Sequence, residues 1–126
     1  MHPDDLKPVS WVGASYRDFR AFPAAVQDAM GYALFYAQLG RTHASAKPLR
    51  GFGGAGVVEI VEDFRTDTYR AVYTVRFAGS VYVLHAFQKK SKRGSQTPHQ
   101  EMELIRRRLK TAEEDHRSRK EHRDDD

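Results

Sequence analysis

Apolar positions recur along the chain with two different periods, and the switches between them outline the elements. β-Branched and aromatic residues following Pro8 predict a short first strand over residues 7–12, which Gly13 ends. Ser15 is placed to cap a short helix over residues 16–21, and Pro23 suits the first turn of a second. There Val26, Ala29, Met30, Ala33, Leu34 and Ala37 repeat at helical spacing, with Gly40 as the stop. From Thr42 to Gly56 no period survives, and the run of glycine, alanine and serine reads as a connecting loop. Three β-branched runs follow, Val57 to Phe64, Thr68 to Phe77 and Val81 to Phe87, with short turns between them that predict an antiparallel meander. Residues 88–96 are basic and irregular. Thr97-Pro98 with Glu101 and Glu103 then marks a helix start, and Met102, Ile105, Leu109 and Ala112 form its apolar stripe.

The order β-α-α-β-β-β-α implies an α+β fold: a small, curved antiparallel sheet with the helices packed on one face. With 126 residues the chain has room for one ordinary core. The folded domain is expected over residues 1–115, with 116–126 a charged, disordered tail, since no apolar residue follows Asp115.

Charge changes this picture. The net charge of +4 conceals a split, because residues 111–126 carry −3 and the remaining body +7. Such a body draws in polyanions or an acidic protein by its long-range field. The absence of cysteine removes disulfides and thiolate metal sites and favours a reducing, cytoplasmic setting. No signal-like or membrane-spanning apolar run is present, so no membrane partner is expected.

Candidate chemistry is concentrated in three places. Gly51, Gly53, Gly54 and Gly56 lack the following Gly-Lys-Ser/Thr of a phosphate loop and precede a strand, so they read as a turn-rich loop carrying Arg50 toward the sheet. The six histidines have no metal-ligand spacing, and neither a metal nor another cofactor is expected. His85 shares parity with Val81, Val83, Phe87 and Lys89 in the last strand, as either a packed core residue or a site residue. In Tyr69-Arg70-Ala71-Val72-Tyr73, alternation puts Arg70 on one face with Val72 and Thr74. The third meander strand ends in Phe87-Gln88-Lys89-Lys90-Ser91-Lys92-Arg93. In a meander the start of one strand lies beside the end of the next, so Arg70 should meet Lys89 and Lys90 at one edge, either as a cluster that binds phosphate oxygens or as part of a basic loop that only aids solubility.

These segments, in this order, carry a resemblance. Leu49-Arg50-Gly51-Phe52-Gly53, Val58-Glu59-Ile60, Tyr69-Arg70-Ala71-Val72-Tyr73, Leu84-His85-Ala86-Phe87-Gln88-Lys89-Lys90 and Thr97-Pro98 resemble the phage-derived HigB-like toxins of the RelE/ParE superfamily. The resemblance spans about residues 8 to 115. It implies a RelE-like fold and the toxin of a type II toxin–antitoxin module, paired with a small helix-turn-helix, HigA-like antitoxin. It also implies action on the ribosome, as a metal-independent endoribonuclease that cleaves messenger RNA by 2′-hydroxyl transesterification. Arg70 takes the position of the arginine that RelE-like enzymes supply from this strand. Glu62, Asp63 and Phe64 stand where RelE has lysines, and no tyrosine follows the basic loop.

The catalytic candidates are therefore Arg70, for phosphorane charge, and Lys89 or Lys90, for proton transfer, with His85 and Glu59 as possible bases. Arg50, Lys92 and Arg93 are the candidates for holding RNA backbone, and Phe87 for stacking on a base. Two alternatives remain: a ParE-like toxin that inhibits DNA gyrase without a nuclease site, and an inactive phage-derived binding module.

Overall fold

The computed structural model describes residues 6–54, 56–89 and 97–124. Five strands and three helices follow in the order β1 (Val9–Trp11), α1 (Ser15–Arg20), α2 (Ala24–Gln38), β2 (Ala46–Pro48), β3 (Val57–Phe64), β4 (Asp67–Thr74), β5 (Val81–Lys89) and α3 (His99–Asp124). The strands form one sheet in the order β1-β5-β4-β3-β2. The expected meander of β3, β4 and β5 is antiparallel, while β1 joins β5 in parallel. Among the described residues no helix is long and apolar enough to cross a membrane.

Strand alternation builds two apolar layers rather than one. Ile60, Ala71, Tyr73, Val81 and Val83 pack with Phe19 of α1, Phe22 of the segment between the helices, and Val26, Met30 and Leu34 of α2. Val57, Val72, Tyr82 and Leu84 face Ile105 and Ala112 of α3. The α+β class and the order of the expected elements hold, but the helices do not share a face: α3 covers the side opposite α1 and α2. The reason is that β3, β4 and β5 are apolar on both faces, and a sheet of that kind must be covered twice.

Four further details differ from the sequence expectation. The loop after α2 contains the edge strand β2, paired with β3 through Lys47 and Glu59. Ser15 opens α1 without capping it; its hydroxyl instead donates to the Val83 carbonyl at 3.1 Å. The long helix runs past residue 115 to Asp124. Arg117 and Arg119 reach back to Glu113 and Asp115 at helical spacing, and His116 stacks on Phe77. Finally, the β4–β5 register shifts between Val72 and Tyr73, so that Val72 faces His85 while Tyr73 faces Val83. Leu84 is the extra residue of a bulge, and it turns His85 to the α3 side, away from Val81 and Val83.

Arg108 of α3 fastens this bulge. Its Nη1 donates to the Leu84 carbonyl at 3.0 Å, and its guanidinium lies over Gly13, where an added Cβ would come within 3.0 Å of Nε. Gly13 also has a φ of 56°, which side chains avoid. Gly13→Ala is therefore expected to destabilise the fold by about 1–3 kcal/mol, read as a lower urea midpoint in equilibrium unfolding.

Candidate active site

Arg70 sits in β4 between Val61 of β3 and Phe87 of β5. Its side chain lies on the α3 face of the sheet, the face of Val72, and turns toward Glu59. Arg70 Nη1 donates to Glu59 Oε1 at 2.7 Å, with side-chain exposures of 4% and 2%. Thr97, just ahead of α3, closes the cluster. Its hydroxyl donates to Glu59 Oε2 at 2.7 Å and accepts from Arg70 Nη1 at 3.3 Å. A buried carboxylate needs its oxygens hydrogen-bonded to persist, and both oxygens of Glu59 are.

Further cations gather round the single carboxylate. Lys89, opposite Thr68 at the end of β5, is 8% exposed. Burial pushes its ammonium below the ordinary lysine range, the charges of Arg70 and Lys47 push the same way, and Glu59 opposes them. Lys47 approaches from β2, directly across from Glu59. A cavity of about 510 Å³ opens here, lined by Lys47, Pro48, Leu49, Arg50, Glu59, Thr97 and Met102.

The glycine-rich loop forms part of the cavity wall. Gly51 has a φ of 100°, and a Cβ there would lie 3.2 Å from the Met102 methyl. Phe52 beneath the Arg106 guanidinium, 5.5 Å from ring centre, pins the loop to α3. Arg50 is thereby held exposed at the cavity edge.

The structure brings together Arg70, Glu59 and Lys89, with Arg50 at the rim. Lys90, Lys92 and Arg93 lie outside the described residues. Two expectations are corrected by packing. Phe87 belongs to the layer under α3 and its ring is already stacked on His85 with centroids 4.9 Å apart, so it is packed as a core residue rather than presented to a base. His85 is not available as a base, because both ring nitrogens are used. Arg108 Nη1 donates to Nδ1 at 3.1 Å, and Nε2 contacts Glu101. A guanidinium can only donate, so Nδ1 is the acceptor and the proton sits on Nε2, directed at the carboxylate. Burial also lowers the imidazole's affinity for a second proton, with Arg108 adding to that effect and Glu101 opposing it.

Thr97, Lys47 and Met102 escaped the sequence reading as site residues. Thr97 carried a signal only as part of a helix start, and Lys47 lay in a stretch without period. Among the described residues no group of three or more histidine, cysteine or acidic side chains could hold a metal ion. The arrangement suits an anion: cations outnumber the one buried carboxylate, and Lys47 and Arg50 border an open cavity.

The family model described as phage-derived protein Gp49-like (DUF891) matches residues 17–110. The chain belongs to this Gp49-like family. The match takes in every described site residue, from Lys47 to Arg108. Among solved structures, a double arginine-to-alanine mutant of Escherichia coli toxin RelE in the free state is similar with a TM-score of 0.54 and 17% identity. That alignment covers 84% of this chain and 97% of that one, which shows that the Gp49-like chain has the RelE fold. The toxin–antitoxin complex RelBE2 of Mycobacterium tuberculosis is also similar, with a TM-score of 0.45 and 23% identity over 68% of this chain and 94% of the other. No curated protein matches in sequence.

Proposed function

We propose that this Gp49-like protein is the toxin of a type II toxin–antitoxin module, acting in the cytoplasm as a ribosome-dependent endoribonuclease. The observation that carries the reading is the Glu59–Arg70–Thr97 cluster at a cavity bordered by Lys47 and Arg50, with Lys89 beside it. Its resemblance to HigB-like toxins and its RelE fold point the same way, and the basic body suits both RNA and an acidic, HigA-like antitoxin.

In this reaction the RNA 2′-oxygen attacks the adjacent phosphorus, its proton passes to a base, and the bond to the 5′-oxygen breaks. The products are a 2′,3′-cyclic phosphate and a 5′-hydroxyl. Arg70 stabilises the phosphorane oxygens as a fork held in place by Glu59. Lys89 or Lys90 delivers a proton to the leaving 5′-oxygen, a task eased by an ammonium that gives up its proton below the usual range. Glu59 is the base candidate that remains once His85 is committed to α3: it lines the cavity, and each carboxylate oxygen keeps a lone pair beyond its bond from Arg70 or Thr97, which the single lone pair of Nδ1 in His85 does not. Arg50 and Lys47 hold backbone phosphates.

Induced expression, with protein and DNA synthesis labelled separately, tests this. Early loss of protein synthesis is the expected result. Early arrest of replication with DNA breaks would instead support gyrase inhibition, and normal growth an inert binding module. Binding of purified protein to RNA is expected to weaken steeply with added salt, because Lys and Arg contacts release counterions. A flat dependence would remove the phosphate-holding role of Arg50 and Lys47.

A further inference from the structure

We infer that His85 is a positioning residue, which seats the first turns of α3 on the sheet and so holds Thr97 against Glu59 and Arg70. The link to catalysis rests on the nuclease reading above; the seating of α3 does not.

Four observations converge on this role. The bulge at Leu84 spends one residue of β5 to bring His85 onto the α3 side, and bulges beside functional sites commonly re-aim a side chain in this way. His85 then bridges two positions of α3, two turns apart, through Glu101 on Nε2 and Arg108 on Nδ1. Glu101 stands one turn beyond Thr97, whose hydroxyl touches both members of the buried pair. Behind His85 the stacked ring of Phe87 is the cross-strand neighbour of Arg70. The polar contacts from imidazole to cluster therefore run through one short piece of helix.

The seating has a built-in dependence on pH. The charged groups acting on His85 are Glu101 and Arg108 of α3 and Asp18 of α1. A second proton would enter on Nδ1, facing the Arg108 guanidinium, and would turn an accepted hydrogen bond into a clash of two donors. Because the folded imidazole holds its second proton less tightly than the unfolded one, the seating is intact above the ordinary histidine value of 6.5. It weakens as pH falls below that value toward the lower folded one.

The test compares the parent with His85→Gln, which keeps a donor for Glu101 and an acceptor for Arg108 but does not titrate, and with His85→Leu, which keeps neither. Hydrogen-exchange protection at residues 103–106, corrected for intrinsic rates, reads the seating; cleavage of ribosome-bound RNA reads the site. In the parent, protection is expected to fall about tenfold between pH 7.5 and pH 5, a change worth about 1.4 kcal/mol, and cleavage to fall with it. His85→Gln should flatten both profiles, and His85→Leu should lower both at every pH. Coincident profiles for parent and His85→Gln, or full protection in His85→Leu, would overturn the inference. Protection that behaves as expected in a protein that cleaves no RNA would sink the nuclease reading and leave the role of His85 in seating α3 standing.

Discussion

Arg70→Met should cost the fold about 3–5 kcal/mol, because it leaves the Glu59 carboxylate buried without its counter-charge. Urea unfolding at neutral pH measures this directly. The same variant should lose growth arrest, with RNA cleavage down by about 10²- to 10³-fold, the usual toll for removing a group aimed at developing negative charge. Stability and activity are separable here. Glu59→Gln combined with Arg70→Met removes both charges, so most of the lost stability should return. Activity should not return, because the phosphorane still lacks its fork. If the double variant regained both, Arg70 would be a structural residue and the catalytic assignment would fall.

Lys89→Met is expected to act in the opposite sense on the two quantities. A buried ammonium pressed by Arg70 and Lys47 holds its proton less firmly in the fold than in the unfolded chain. Its charge therefore opposes folding at neutral pH, and that cost disappears only as pH rises beyond the ordinary lysine value of 10.5. Methionine fills similar space without the charge, so the urea midpoint at pH 7 should hold or rise. Cleavage should nonetheless fall by about 10²- to 10⁴-fold if Lys89 is the proton donor. In the parent, the rate should decline on the alkaline side at a pH below 10.5, as the lowered ammonium empties. An unchanged rate in Lys89→Met would shift the donor role to Lys90.

Much of this protein could be read from residue order alone, and the parts that could not share a physical cause. β3 was legible because its residues are β-branched and bounded by turns, and α2 because its apolar positions keep helical spacing until Gly40. The approach of Arg70 to Lys89 followed from meander geometry. By contrast, a single bulge residue reverses the face of everything after it, so parity counting misplaced His85. β2 is only three residues long and takes its extended form from pairing with β3 rather than from its own composition. The continuation of α3 to Asp124 rests on ion pairs along the helix and on the contact of Asp115 with the Tyr82 hydroxyl. None of these produces an apolar period. Thr97 was missed because its role depends on where α3 crosses the sheet, which is a property of packing.

The order of the strands has a consequence for the life of the chain on the translating ribosome. Among the described residues β1 pairs with β5 alone, in the register Val9 to Val81, so it must wait for β5 to be made. Thr97, Glu101 and Arg108 emerge later still, and without them Glu59 and Arg70 lack their third partner and the bulge its clasp. The buried cluster of Glu59, Arg70 and Thr97 is thus completed only once the start of α3 has been made, and a nascent chain still short of Thr97 carries no assembled cluster.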